Sequence, residues 1–286
     1  MDVIKISDPL YKELEVKSRL CTKVHSIFNS ACNLSSDLGL ISVVCKNKRM
    51  NPRAMMINDE TWFQSLLPNQ IIEVGFKQDT HLQHGLHLLL PPQSVTLFSP
   101  YLSSEVAFPN QINKMVYEYL NKYQKEMGIY SILGQSKKLP ISSSVSYYSP
   151  MLLDYFLPRM DDFIEALKIQ SSSIDLTNFL GFGSGLTPSS DDLLVGLLSV
   201  LDSLRHPYFS ILSSACLNSL DKTTDVSRAM LFSACDQQYS QEIVELYSAI
   251  SNSGDIEGKI INLLKIGHTS GHDTLCGIFI GLKLFR

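Results

Sequence analysis

Gly181-Phe182-Gly183-Ser184-Gly185-Leu186-Thr187-Pro188-Ser189-Ser190-Asp191-Asp192 runs straight into an apolar stripe of Leu193, Leu194, Leu197, Leu198, Leu201 and Leu204. Loop chemistry turns into helix chemistry here. Glycines at alternate positions let the backbone take φ > 0 and approach a ligand closely, Thr187 suits an N-cap, and Pro188 suits the first helical position. The unpaired N–H groups of such a helix start, with the positive end of its dipole, form a pocket for phosphate or carboxylate. On this reading Gly183, Ser184, Gly185, Thr187 and Ser189 bind the anion. Asp191 and Asp192 would repel it unless they face an amide, a cation or a metal. A structural account stands beside this one, because acids in a first helical turn gain about 0.3–1 kcal/mol from the dipole and glycines occur in any tight loop. Neither the Walker A nor the dinucleotide glycine spacing is present.

Working outward, the chain changes character near residue 105. Segments 24–28, 39–45, 71–76, 86–90 and 95–98 are short, rich in β-formers and separated by Asn, Asp, Gly and Pro, which predicts a small sheet or partly closed barrel. Beyond Pro109, Ile112, Met115, Val116, Tyr119, Leu120 and Tyr123 recur at three and four, the stripe of an amphipathic helix. Further helices are predicted over 149–169, 188–204, 208–220, 226–235, 241–251, 256–266 and 271–285. The expected fold is α+β, with a β-rich domain over 1–105 and a mainly α-helical domain over 106–286. The serine-rich stretch 136–149 reads as a surface loop, and His81, His84 and His87 as surface or turn residues.

Two more predicted helix starts share the design of the first. Gly267-His268-Thr269-Ser270-Gly271-His272-Asp273 precedes Leu275, Ile278, Phe279 and Leu282, and here Thr269, Ser270 and Asp273 are candidate ligand contacts. His268 is a candidate acid or hydrogen-bond donor, with a satisfied structural histidine as the alternative. His268 and His272 fall one turn apart, as a metal-binding pair would, only if both are helical, and His268 is expected to precede the cap. Gly277 and Gly281 make a small-residue face for close helix packing. Lys222-Thr223-Thr224-Asp225-Val226-Ser227-Arg228 is the third start, in which Thr223, Thr224 and Ser227 offer hydroxyls and Arg228 a two-pronged anion clamp, unless it is solvated or salt-bridged. Three such ends meeting would form a polar cleft for two small anions, and spacing alone does not name the reaction.

The totals exclude several classes. The 286 residues are 44% apolar, with 13 Phe, 12 Tyr and one Trp, enough for a real core. A net charge of −4 without a basic block argues against nucleic acid. No apolar run reaches the length of a membrane helix, and the acidic start lacks a secretory pattern, so a cytoplasmic protein is expected. Six scattered cysteines without CxxC read as reduced core thiols.

The pattern G-x-G-x-G-L-T-P-S-x-D-D at 181–192, with Thr223-Thr224-x-x-Ser227 and Gly267-His268-Thr269-Ser270-Gly271-x-Asp273, resembles the AllH-type subunit family of oxamate carbamoyltransferase. The likeness extends loosely to Val24-His25-Ser26-Ile27-Phe28 and Asn51-Pro52, so most of the chain is covered. Ser190 departs from the family's usual glycine and Ser184 from its frequent proline. The resemblance implies a role in anaerobic allantoin or purine breakdown, in which oxalurate and phosphate give oxamate and carbamoyl phosphate. It also implies partner subunits, and no cofactor. Asp191 or Asp192 would accept from the ureido nitrogen, Arg228 and the helix ends would hold the anionic groups, and an N–H or His268 would donate to the reacting carbonyl oxygen, making Asp191, Asp192 and His268 the catalytic candidates. The Ser-Thr-Arg-Thr-Arg signature of ordinary transcarbamylases is missing. Two other readings remain open: a non-catalytic ligand-binding or assembly subunit, and a metal-dependent hydrolase using Asp191, Asp192, His268 and Asp273.

Overall fold

The computed structural model describes residues 1–77, 86–91, 94–103, 106–125, 127–139, 141 and 148–286. The chain divides into two compact units, Met1–Tyr101 and Leu102–Arg286.

The first unit is an eight-stranded sheet curled into a half-barrel. Its strands are β1 (Val3–Ser7), β2 (Arg19–Phe28), β3 (Ala31–Ser36), β4 (Gly39–Cys45), β5 (Ala54–Ile57), β6 (Ile71–Phe76), β7 (Leu86–Leu90) and β8 (Thr96–Phe98). Their order is β7-β6-β2-β3-β4-β5-β1-β8, and a parallel bridge from Asp2 to Leu89 brings the start of the chain back to β7. Register shifts interrupt the ladders between Val3 and Lys5 in β1 and between Val24 and Ser26 in β2. The concave core takes Val3, Ile6, Val24, Leu34, Ile41, Val43, Met55, Ile72, Val74 and Leu88. Helix α1 (Asp8–Lys17) adds Leu10 and Leu14 to it.

Strands β4, β6 and β7 match the predicted segments, whereas β1, β3 and β5 were not predicted. Strand β5 is Ala-Met-Met-Ile, buried at every position, so neither alternation nor β-branching announced it. Helix α1 carried legible signals in Pro9 near its start and Leu10 and Leu14 four apart. His87 lies within β7, half-buried and 3.6 Å from Glu73 on the adjoining strand, so it is not a turn residue. His81 and His84 lie outside the described residues.

The second unit is helical: α2 (Ile112–Lys122), α3 (Ile129–Leu133), α4 (Pro150–Lys168), α5 (Ser189–Ser203), α6 (Tyr208–Leu217), α7 (Asp225–Cys235), α8 (Gln241–Ser251), α9 (Ile256–Leu264) and α10 (Ser270–Phe285). All of α5 is buried, as is α10 from Gly271 to Leu282, which makes these two helices the axis of the unit. They touch through glycine. A Cβ at Gly196 would lie 2.0 Å from the Thr274 carbonyl oxygen, one at Gly277 1.9 Å from that of Leu193, and one at Gly281 2.7 Å from Val200 Cβ. Partner positions rise together along both helices, so α5 and α10 run parallel and their N-termini share one end. The predicted small-residue face at Gly277 and Gly281 finds its partner in α5.

The stretch 136–149 does not read as surface throughout. Ser136, Leu139 and Ile141 are buried, and Ser136 Oγ donates to the Asp161 carboxylate, while 140 and 142–147 lie outside the described residues. Apolar Leu139 and Ile141, set among serines, were too sparse to show a period. The thiols are unbridged, as expected, although Cys21 is exposed and Cys235 only partly buried.

Candidate functional site

The three predicted helix starts meet. Thr187 Oγ1 and Ser270 Oγ are hydrogen-bonded at 2.8 Å, which ties the α5 start to that of α10. Thr224 caps α7 by accepting from the Ser227 N–H, and its hydroxyl donates to the Leu186 carbonyl, which ties α7 to the glycine loop.

Asp191 and Asp192 turn opposite ways. Asp191 faces α7 and is fully engaged: Oδ1 accepts from the Gly181 N–H at 2.8 Å and from Ser190 Oγ, and Oδ2 accepts from the hydroxyls of Thr223 and Ser227. It is a buried staple holding the loop to α7, with its lone pairs taken up by the protein. Asp192 faces α10. It is buried, its Oδ2 has no partner among the described residues, and the Thr187 and Ser270 hydroxyls favour its charged form. Burial and the neighbouring Asp273 carboxylate push its pKa well above the usual carboxylate range.

Asp273 sits one turn into α10 with 0% exposure. Its Oδ1 accepts from the Ile129 N–H at 2.7 Å, and its Oδ2 has no partner among the described residues. Burial pushes its pKa up to about 7, against the pull of Ser189, the Ile129 N–H and Thr269. Parallel packing explains the pairing, because Asp192 and Gly196 lie one turn apart on α5 just as Asp273 and Gly277 do on α10. The glycines let the backbones close, and at the N-terminal end the Asp273 charge then acts on Asp192.

The α5 start differs from its prediction by one residue. Pro188 is the N-cap, and the Thr187 hydroxyl turns to Ser270 instead of capping. The helix end is also closed by its own loop. The Ser190 N–H donates to the Phe182 carbonyl, and a Cβ at Gly183 would meet Ser189 N at 2.5 Å. The left-handed φ of +124° at Gly183 is what allows that approach. Ser184, Gly185 and Leu186 form the exposed outer turn, with open space where a Gly185 side chain would be.

Arg228 directs its guanidinium to its own chain. Nε donates to the Leu220 carbonyl at 2.9 Å, Nη1 pairs with Asp225 at 3.0 Å, and Nη2 reaches the Thr223 carbonyl. It braces the approach to α7. His268 lies exposed in the turn between α9 and α10, apart from the carboxyl pair's burial. His272 is buried, bonded through Nε2 to the Leu120 carbonyl and set edge-on to Tyr130, and burial lowers its pKa to about 4. Of the two histidines, it is the structural one. Among the described residues no group of three or more His, Cys, Asp or Glu is arranged to hold a metal ion.

Sequence reasoning missed Gly128, Ile129 and Tyr148. Tyr148 Oη accepts from the Gly128 N–H at 2.9 Å, and its ring packs at 5.7 Å from that of Phe182 in the glycine loop. A Cβ at Gly128 would lie 2.6 Å from Asp273 Oδ1. The only local signal was a lone glycine before the short apolar run Ile129-Tyr130, too brief for helical period.

Two family models match this chain. Residues 179–282 match the oxamate carbamoyltransferase subunit AllH, and residues 2–90 match the AllH family N-terminal domain. The chain belongs to the AllH family. The first match contains all three helix starts of the site, while Gly128, Ile129 and Tyr148 fall between the two matched regions. The AllH family is described as a subunit of oxamate carbamoyltransferase, which implies other subunits. No solved structure matches the chain. No helix among the described residues is long and apolar enough to cross a membrane.

Proposed function

We propose that this AllH chain carries the carbamoyl-handling site of an oxamate carbamoyltransferase, converting oxalurate and phosphate to oxamate and carbamoyl phosphate. The observation that supports it is the buried Asp192–Asp273 pair, with an unpartnered oxygen on each residue, at the joined N-termini of α5 and α10. Oxalurate, oxamate and carbamoyl phosphate all carry a carbonyl bonded to an unsubstituted amino group, beside an anionic group. A carboxyl oxygen left without a donor suits the amide N–H groups. The anionic end is favoured by the helix dipoles, the hydroxyls of Thr187, Ser189, Thr269 and Ser270, and the open Ser184–Gly185 turn. Phosphate oxygen attacks the ureido carbon, the carbon–nitrogen bond to the oxamate portion breaks, and the carbamoyl group leaves on phosphate.

In this reading Asp191, Thr223, Thr224, Ser227 and Arg228 shape the loop without touching substrate. A phosphate dianion calls for cationic donors, and Arg228 is committed to Leu220, Thr223 and Asp225. We therefore assign the phosphate's cationic contacts to partner subunits of the complex. The reaction belongs to cytoplasmic allantoin or purine breakdown under anaerobic conditions.

The test is a thermal-shift titration of the chain with oxalurate, oxamate, carbamoyl phosphate and phosphate, on wild type, Asp192→Ala and Arg228→Ala. A ligand at one hundred times its Kd stabilises the native state by about 2.7 kcal/mol. The amide-bearing ligands should raise the melting temperature of wild type and Arg228→Ala alike and lose their effect on Asp192→Ala. Absence of any shift in wild type would refute a substrate site in this chain. Loss of the shift in Arg228→Ala would restore that arginine as a ligand contact.

A further inference from the structure

Asp192 and Asp273 pose a charge problem that no cation among their described neighbours resolves. Both side chains are buried, and each has one oxygen with no partner. The groups that act on them electrostatically or by hydrogen bond are Asp191 on α5, the hydroxyls of Thr187, Ser189, Thr269 and Ser270, and the Ile129 N–H. Tyr148, ahead of α4, and Cys276 on α10 also feel the Asp273 charge, and burial pushes both upward, so both stay neutral. None of these is a lysine or arginine. Two carboxylates in a dry interior do not both ionise, since like charges at close range raise one of the two affinities for a proton.

The proposed reaction has a matching proton requirement. Hydrogen phosphate dianion and oxalurate anion give carbamoyl phosphate dianion and oxamate anion. The phosphate hydroxyl proton must therefore end on the departing nitrogen, which cannot leave as an amide anion. No proton enters or leaves the site overall. A pair holding one proton meets this need, because its ionised member accepts from phosphate while its protonated member donates to nitrogen. The pair ends with one proton again, its place exchanged between the two residues.

We propose that Asp192 and Asp273 share a single proton and act as the acid–base pair of carbamoyl transfer, exchanging protons with the substrates through the half-buried hydroxyls of Thr187, Thr269 and Ser270. This rests on the transferase reading above. The hydroxyls are suited to the relay because they act on the carboxyls and belong to partly exposed residues. The upward shifts of both aspartates agree with a retained proton near neutral pH.

Two measurements test it. Carbon-13 NMR of the aspartate carboxyls in the full chain, from acid to alkaline pH, should show one of the two titrating near neutrality. Asp273→Asn should then lower the midpoint of Asp192 by a pH unit or more, because the Asp273 charge helps to hold that proton. In the assembled complex, the rate of oxalurate phosphorolysis should be bell-shaped in pH. Each asparagine variant should lose roughly 100-fold or more in kcat, within the range of general acid–base catalysis, together with one limb of the bell. Variants within threefold of wild type with the bell intact overturn the proposal, and so does an Asp192 titration that Asp273→Asn leaves in place. Broadening of both carboxyl signals by low Mn²⁺ also overturns it, in favour of a cation bridge. A wild-type complex that does not turn over oxalurate sinks the transferase reading, and the acid–base role with it, whereas independent titrations in an active complex sink the shared proton alone.

Discussion

Replacing Asp273 by asparagine should make the protein more stable at pH 8, with no such gain near pH 4. Burial raises the Asp273 pKa from 3.8 to about 7 in the native state. A raised carboxyl binds its proton more tightly when folded, so its favourable contribution is complete below the unfolded value and is lost as pH rises through the folded one. Each pKa unit is worth about 1.4 kcal/mol, so a shift of roughly three units makes ionised Asp273 cost about 4 kcal/mol above pH 7. Asparagine carries no such cost and keeps an oxygen for the Ile129 N–H. Its amide can also donate to Asp192. With allowance for imperfect fit, a gain of about 2–4 kcal/mol at pH 8 is expected, or some 5–10 °C in Tm for a unit of this size.

Wild type alone would hide the effect. The neighbouring His272, its pKa lowered to about 4 by burial, contributes in the opposite sense, since its stabilisation is present above 6.5 and fades as pH falls toward 4. The two slopes oppose one another between about pH 4 and 6.5, so wild-type stability should be nearly flat there as far as these groups decide it. The difference between Asp273→Asn and wild type cancels the histidine. Urea unfolding of both proteins at pH 4, 6 and 8 reads it directly. A variant less stable than wild type at pH 8, or a difference that does not change with pH, would refute the claim that Asp273 is held against its own ionisation.

Asp191→Ala should behave oppositely, destabilising by about 3–5 kcal/mol, because it strips acceptors from the Gly181 N–H and the buried Ser227 hydroxyl. Denaturant unfolding at neutral pH checks it, and a cost under 1 kcal/mol would end its role as the staple. Gly277→Ala should lower stability by roughly 2 kcal/mol even though alanine favours helices by about 1 kcal/mol, because its Cβ would sit 1.9 Å from the Leu193 carbonyl. An alanine variant melting at or above wild type would mean that α5 and α10 do not touch along this seam.

The helical unit was largely legible because its segments carry their periodicity in plain view. The stripe from Leu193 to Leu204 and the ring of apolar residues after Asp273 predicted α5 and α10 to within two residues. The half-barrel was legible where strands alternate or are β-branched, as in β4, and illegible in β5, whose burial at every position comes from its neighbours in the sheet.

The chemistry divides in the same way. Local sequence determined that three polar helix starts exist, and which residues stand at each, because capping, glycine conformations and first-turn acids act over a few neighbouring residues. It did not determine which way each acid turns. Asp191 and Asp192 are adjacent and chemically identical, yet one is satisfied by α7 and the other faces Asp273. That outcome depends on the roughly 100° between successive helix positions and on which helix occupies each side. Nor did local sequence reveal that the Ile129 N–H holds Asp273 across 144 positions of chain, or that Arg228 is claimed by Leu220 and Asp225. Those are long-range or competitive contacts, and only tertiary packing decides them, because a buried polar group takes whichever partner the fold brings within reach.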